Sequence, residues 1–249
     1  MSHSFGALCS DFYINSRLNL KMDLPSGRET VLALFDRIRK ERPEMSGFRR
    51  YSNELALESE PQDGRQSWVA LRRTSLRAGV ANPERTEEAY SLHRMVLEMA
   101  PYFLSISPLD VDFVELMYGF DLPAAGNHDS IIFEALLEGS AFARLLTVPG
   151  ARPVDCQPVF GLSLNDEGDL QAHFEVKTRS GIRHPKAYEA NAQPISIFLT
   201  LRRYGEVTDV RALGTHLDTL AAHGEKLVED RLVPDLLVPI REAIGTGRE

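Results

Sequence analysis

The chain of 249 residues is poor in the residues that usually announce a chemistry. Its two cysteines, Cys9 and Cys156, cannot build a disulfide framework, and a chain of this length does not need one. No CxxC or Cys/His spacing suits a zinc site, so no metal and no cofactor is expected. No apolar run approaches the roughly 18 residues of a membrane span. The opening Met1-Ser2-His3-Ser4-Phe5-Gly6 has neither a basic nor an apolar stretch, so no secretory signal is expected; the reading is a soluble, cytoplasmic, reduced protein. P-loop, dinucleotide fingerprint, GxSxG elbow and HExxH helix are all missing. These absences remove the enzyme families that a motif can identify, and leave active sites assembled from scattered residues.

Basic residues are outnumbered, 28 to 36, for a net charge of −8. A diffuse acidic excess works against phosphate backbones and anionic lipid, so nucleic acid is disfavoured as a partner and no membrane partner is expected. Hydrophobic content of 43% and charged content of 26% are those of an ordinary globular protein.

What the chain does have is an internal echo. Asn19-Leu20-Lys21-Met22-Asp23-Leu24-Pro25 recurs in character 98 positions later as Met117-Tyr118-Gly119-Phe120-Asp121-Leu122-Pro123. Trp68-Val69-Ala70-Leu71-Arg72-Arg73 is echoed by Ile197-Phe198-Leu199-Thr200-Leu201-Arg202-Arg203. A duplicated folding unit explains both. Residues 11–24 alternate apolar and polar over a span of roughly 45 Å, which predicts a strand that bends or bulges. Ser26 with Glu29 reads as a capping box for a helix carrying Val31, Leu34, Phe35 and Ile38, ended by Pro43. Strands are expected over 48–58 and 67–76, then a helix from Asn82-Pro83 with Leu92, Met95, Val96 and Met99 inward and Pro101 stopping or kinking it. The second unit predicts strands over 111–122, 159–164, 170–178 and 195–204, a helix capped by Asn127 or Asp129, and a closing helix over 210–232 disturbed by Pro234 and Pro239; the tail from Gly245 is expected to fray. The expected fold is α+β: two pseudo-symmetric β-α-β-β-α units, residues 1–109 and 110–249, the second with an extra strand. They share a mostly antiparallel sheet with helices packed on one face.

Candidate chemistry is thin. His216 and His223 lie two turns apart on one side of the closing helix and are acid/base candidates; at about 11 Å they are too far apart for one ion. Strand 170–178 carries Gln171, His173, Glu175, Lys177 and Arg179 on one face, which adds His173 and Glu175 as acid/base candidates. Arg72, Arg73, Arg202 and Arg203 end corresponding strands and could clamp a carboxylate or phosphate; charged strand ends also protect sheet edges. Asn165-Asp166-Glu167-Gly168-Asp169 has calcium-loop composition without EF-hand spacing and reads as a hairpin turn. Asn127-His128-Asp129 reads as a cap.

Three stretches resemble a sporadically distributed family of uncharacterised bacterial proteins of about this length. They are Ile197–Leu201, the helix Leu217–His223 continuing into Glu225–Glu229, and the strand-turn-helix order from Trp68 to Tyr118. The family's Arg-Tyr-x-Asn is here Met117-Tyr118-Gly119-Phe120. The resemblance implies a layout and no activity.

The expectation is therefore a non-catalytic binding or interaction protein, self-associating as a homo-oligomer, with another protein or a small anionic ligand as partner. The competing expectation is an enzyme whose pocket between the halves gathers Arg72 or Arg202 with His173, His216 or Glu175. A third, single-stranded nucleic acid on an open sheet, has only Tyr13 with Arg17 and Lys21 to start from.

Overall fold

The computed structural model describes residues 5–178 and 193–246. Nine strands form one antiparallel sheet in the order β2-β3-β4-β5-β1-β6-β9-β8-β7. They are β1 Asp11–Leu20, β2 Gly47–Tyr51, β3 Glu54–Glu58, β4 Gln66–Arg72, β5 Ser75–Ala81, β6 Val111–Leu122, β7 Val159–Ser163, β8 Leu170–Lys177 and β9 Ile195–Tyr204. The helices are α1 Arg28–Glu41, α2 Thr86–Leu104, α3 His128–Leu137, α4 Leu213–Leu227 and α5 Val238–Thr246. β1 and β6 pair at the centre, so the sheet runs unbroken across position 110.

Period-two alternation puts Phe12, Ile14, Leu18 and Leu20 of β1 on the buried face, joined by Val114, Leu116, Tyr118 and Phe120 of β6 and by Ile195, Ile197, Leu199 and Leu201 of β9. Helices cover this face: Phe35 of α1 meets Phe48 of β2, and the Tyr118 hydroxyl lies between Tyr90 of α2 and the Ala221 carbonyl of α4. Tyr118 can approach α4 closely because position 224 is glycine. A Cβ there would sit 2.4 Å from its ring.

Several expectations are corrected. Runs 48–58 and 67–76 are not single strands: Ser52-Asn53 and Arg73-Thr74 are two-residue turns that make β2–β3 and β4–β5 hairpins. None of those four residues has a positive φ, so neither turn needed the glycine that marks a hairpin in sequence. Among the described residues, five strands therefore precede position 110 and four follow it, the reverse of the expected imbalance. The β4–β5 turn also separates the second echo. β5 lies beside central β1 as β9 lies beside β6, whereas Trp68 is on β4, one strand further out. β1 stops at Leu20, where its register with β6 shifts. Gly27, not Ser26, precedes α1, with no side-chain cap. α2 starts at Thr86, because Asn82 has φ 47° and hydrogen-bonds the Phe12 backbone, Asp11 and the Gly64 carbonyl instead. Pro101 does not stop α2, which runs on to Leu104. The closing helix does not end at Leu232. A π-helical stretch, Val228–Leu237, carries Pro234 and continues into α5; its longer hydrogen-bond span absorbs a residue whose nitrogen cannot donate. Residues 247–249 of the tail lie outside the described residues.

Candidate interaction face

The strands' alternate residues form the sheet's second face, and the register lines them up in rungs across it. One rung runs Arg77, Arg17, Glu115, Arg202, Gln171 over β5, β1, β6, β9 and β8. The rung on one side runs Arg72, Ser75, Asn19, Phe113, Tyr204. On the other side, Trp68, Gly79, Asn15, Met117, Thr200 and His173 line up. Beyond them come Tyr13, Gly119, Phe198 and Glu175. Neighbouring rungs are two residues apart, about 6.6 Å.

Glycine makes the face flat where rings lie on it. A Cβ on Gly79 would be 2.5 Å from the Trp68 ring, and one on Gly119 would be 2.2 Å from the Tyr13 ring. Each ring therefore packs on the bare backbone of the neighbouring strand, the arrangement in which an aromatic compensates a strand glycine. His173 lies over Gly161 of β7 with less crowding, its Nδ1 3.0 Å from the place of a Cβ.

The charges are interleaved with these rings. Glu54 accepts from Arg72 (2.6 Å) and Arg77 (3.4 Å), and Glu115 from Arg202 (2.5 Å). Arg77 lies over the Trp68 ring, 5.3 Å from its centroid. Phe113 has two guanidinium groups against it, Arg202 at 5.3 Å and Arg17 at 5.4 Å, and Tyr204 at its edge. Burial, then Arg72 and Arg17 alongside, holds the Arg77 pKa below its ordinary value despite Glu54. Burial acts the same way on Arg202, but its bonds to Tyr204 and Glu115 win and its pKa is raised. Arg17 differs from the others. It donates to Asn19 (2.6 Å), makes no ion pair among the described residues, and its buried Nε has no partner.

The sequence-derived candidates are divided by the sheet. Arg72, Arg202, His173 and Glu175 share the second face, where Glu175 pairs with Lys177 (3.2 Å) and His173 with Gln171 (3.3 Å). Arg72 and Arg202 are four strands apart, roughly 19 Å. Arg203 is on the helix side, paired with Asp169 (3.0 Å). His216 is near it, half-buried on α4, its pKa lowered by burial and by Arg203. His223 is exposed, and Arg73 is an exposed turn residue paired with Asp23. These side chains do not gather round one pocket. Arg179 lies outside the described residues.

Elsewhere, Asn127 caps α3, and its neighbours are more than cap residues. Buried His128 bonds the Thr178 and Ala124 carbonyls (2.9 and 3.0 Å), while Asp129 accepts from Thr178 Oγ1 and the Cys156 amide. Asn165 folds the 165–169 loop by accepting from the Gly168 and Leu170 amides, as a hairpin turn does. A polar cleft of about 540 Å³ lies between the α1–β2 loop, α2 and the β3–β4 turn, but Arg65 there already pairs with Glu84 and Glu88, and Arg42 bonds Ser91. No group of three or more His, Cys, Asp or Glu among the described residues could hold a metal ion, and no described helix is long and apolar enough to cross a membrane.

Sequence reasoning missed Arg77, Trp68, Phe113 and Met117 as members of one surface. The alternation in β1 and β6 was visible, but which residues of β4, β5 and β9 lie beside them depends on register between distant strands. No family model matches the chain, and no curated protein matches it.

Proposed function

We propose that the protein is a non-catalytic binding module whose second sheet face receives another protein. One observation carries this reading: a flat face spanning the central strands, paved with Trp68, Tyr13, Phe113 and Met117 and threaded with arginines. Tryptophan, tyrosine, phenylalanine, methionine and arginine are the residues enriched at the cores of protein interfaces. The face holds more interleaved rings and arginines than the sequence suggested, yet Asp11, Asp121, Glu175 and Glu58 share it. Those carboxylates repel a continuous phosphate backbone, which keeps nucleic acid the weaker reading.

The proposal extends to the origin of the fold and to assembly. Duplication is supported by β1 and β6 lying antiparallel at the centre, each followed by a helix, and by the likeness of Asn19–Pro25 to Met117–Pro123. Kinship with the sporadically distributed bacterial family rests on the stretches that resemble it. Homo-oligomerisation is supported by the edge strand β7, Val159-Phe160-Gly161-Leu162-Ser163, which carries no charge, with Val159 61% and Phe160 64% exposed. The solution mass at micromolar concentration tests this last part, and a clean monomer removes it.

The face itself is tested by comparing proteins retained by the native chain and by a Trp68→Ala/Arg17→Glu variant whose thermal midpoint shows it folded. A protein held by the first and lost by the second is the expected result. Equal retention by both overturns the reading.

A further inference from the structure

The charge balance of the face is uneven, and the imbalance is local. Across two neighbouring rungs, Arg72, Arg77, Arg17 and Arg202 stand against two directly paired carboxylates, Glu54 and Glu115. Asp112 is reached only through Asn19, which takes Arg17 on one side and donates to Asp112 (2.9 Å) on the other. Arg17 and Arg77 are direct register partners on one face, where like charges destabilise each other. Four guanidinium groups sharing two carboxylates, with Arg17 in no ion pair among the described residues, are unexpected in a chain of net charge −8. It is also confined: the outermost rung of the same face sets Asp11 opposite Asp121, with Lys177 two strands along from Asp121.

From this pattern we infer that the arginine rungs are the anchor point of the docking face, and that the partner seats an acidic side-chain cluster there. Charge complementarity selects the chemistry. Glu115, across from Arg17 in register, bonds Arg202 instead, so a partner carboxylate at Arg17 supplies the ion pair that Arg17 lacks among the described residues and separates it from Arg77 electrostatically. Guanidinium forks match carboxylates in two-pronged geometry. Phe113 and Trp68 hold Arg17, Arg202 and Arg77 from the side, so the forks are already oriented. A short acidic spot fits between the rings, whereas a long polyanion runs into the carboxylates of the outer rung. This inference rests on the protein-docking reading and names the chemistry of its anchor.

Trp68 is the chain's single tryptophan and touches Arg77, so its fluorescence reports on the anchor. The full-length protein is titrated with three probes: an end-capped peptide of three glutamates between glycines, its lysine counterpart, and inorganic phosphate. A saturable change with the glutamate peptide is expected, weakened at least tenfold by Arg17→Gln and several-fold between low and high salt, and unchanged by Lys177→Gln on the same face. Arg17→Lys, which keeps the charge and loses the fork, gives an intermediate affinity and serves if Arg17→Gln does not fold. Three results overturn the inference: no saturable change at millimolar peptide, equal binding of the lysine peptide, or phosphate binding as tightly as the peptide. If the peptide fails while protein retention still depends on Trp68 and Arg17, the docking face stands and only its acidic anchor falls.

Discussion

His93 makes the fold sensitive to mild acid. The residue is fully buried on α2, in the stripe that includes Ala89, Val96 and Leu97, and neither ring nitrogen has a hydrogen-bond partner. Burial alone lowers its pKa from 6.5 to about 3. The ring is neutral when folded and takes up a proton only on unfolding. Stability is therefore intact above the unfolded pKa of 6.5 and is lost progressively as pH falls from there towards 3. Each unit of difference is worth about 1.4 kcal/mol, so the full window spans about 5 kcal/mol, of which about 2 kcal/mol disappears between pH 7 and pH 5.

Urea unfolding of the native chain and of His93→Leu at pH 7 and pH 5 reads this directly. Other histidines and carboxylates titrate in the same window, so the informative quantity is the difference between the two proteins. The leucine variant should lose about 2 kcal/mol less on acidification. It should be no less stable at pH 7, because two unsatisfied polar atoms are replaced by an apolar group of similar size. If both proteins lose the same amount between pH 7 and pH 5, His93 is not the dry, neutral residue described here.

Two helix glycines should behave oppositely. Gly224→Ala drives a Cβ into the buried Tyr118 ring, which cannot withdraw, and should cost about 1–3 kcal/mol in chemical unfolding; Gly214→Ala meets the movable end of Arg94 and should be neutral or slightly stabilising. Burial raises the pKa of Cys9 to about 11 and also raises that of Cys156, so an aromatic disulfide reagent at pH 8 should label both slowly in the folded protein and rapidly in denaturant. Phe160→Lys places a guarding charge on the β7 edge and should reduce turbidity on mild heating without lowering the unfolding midpoint.

Local patterns were legible and distant ones were not. The alternation of Phe12, Ile14, Leu18 and Leu20 identified β1 and its buried face, and the apolar stripe of α1 was read residue for residue. The β1 reading overran because alternation continued through Met22 and Leu24, whose backbones bond loop groups at Asp110 and Arg73 rather than a ladder. The β4–β5 turn escaped because Arg73-Thr74 needs no special φ and carries no punctuation. His93 is not legible as a core residue because histidine does not count towards an apolar stripe, although the buried stripe of α2 runs through it. The site fared similarly. Arg72, Arg202, His173 and Glu175 were singled out and do share a face, but Arg17 acquires its significance only from Arg77 opposite and from Phe113 with Arg202 beyond.

The two faces of the sheet are built by the same strands, and period-two geometry keeps their duties apart. Tyr118 and Phe120 of β6 close the core, while Gly119 between them supplies the bare backbone on which Tyr13 rests. A change at Trp68 or Arg17 therefore removes surface contacts without opening a cavity under the helices. Changes at His93 or Gly224 act within the helix layer, on the other side of the sheet from the arginine rungs. The separation matters because a binding defect counts against a surface only when the fold survives it. It also bears on affinity: rings seated on glycine backbone, with arginines held against them, have little freedom left to lose on docking. A face assembled this rigidly from five neighbouring strands should select partners by fit. An acidic cluster with the wrong spacing should then bind Arg17 more weakly than its charge alone predicts.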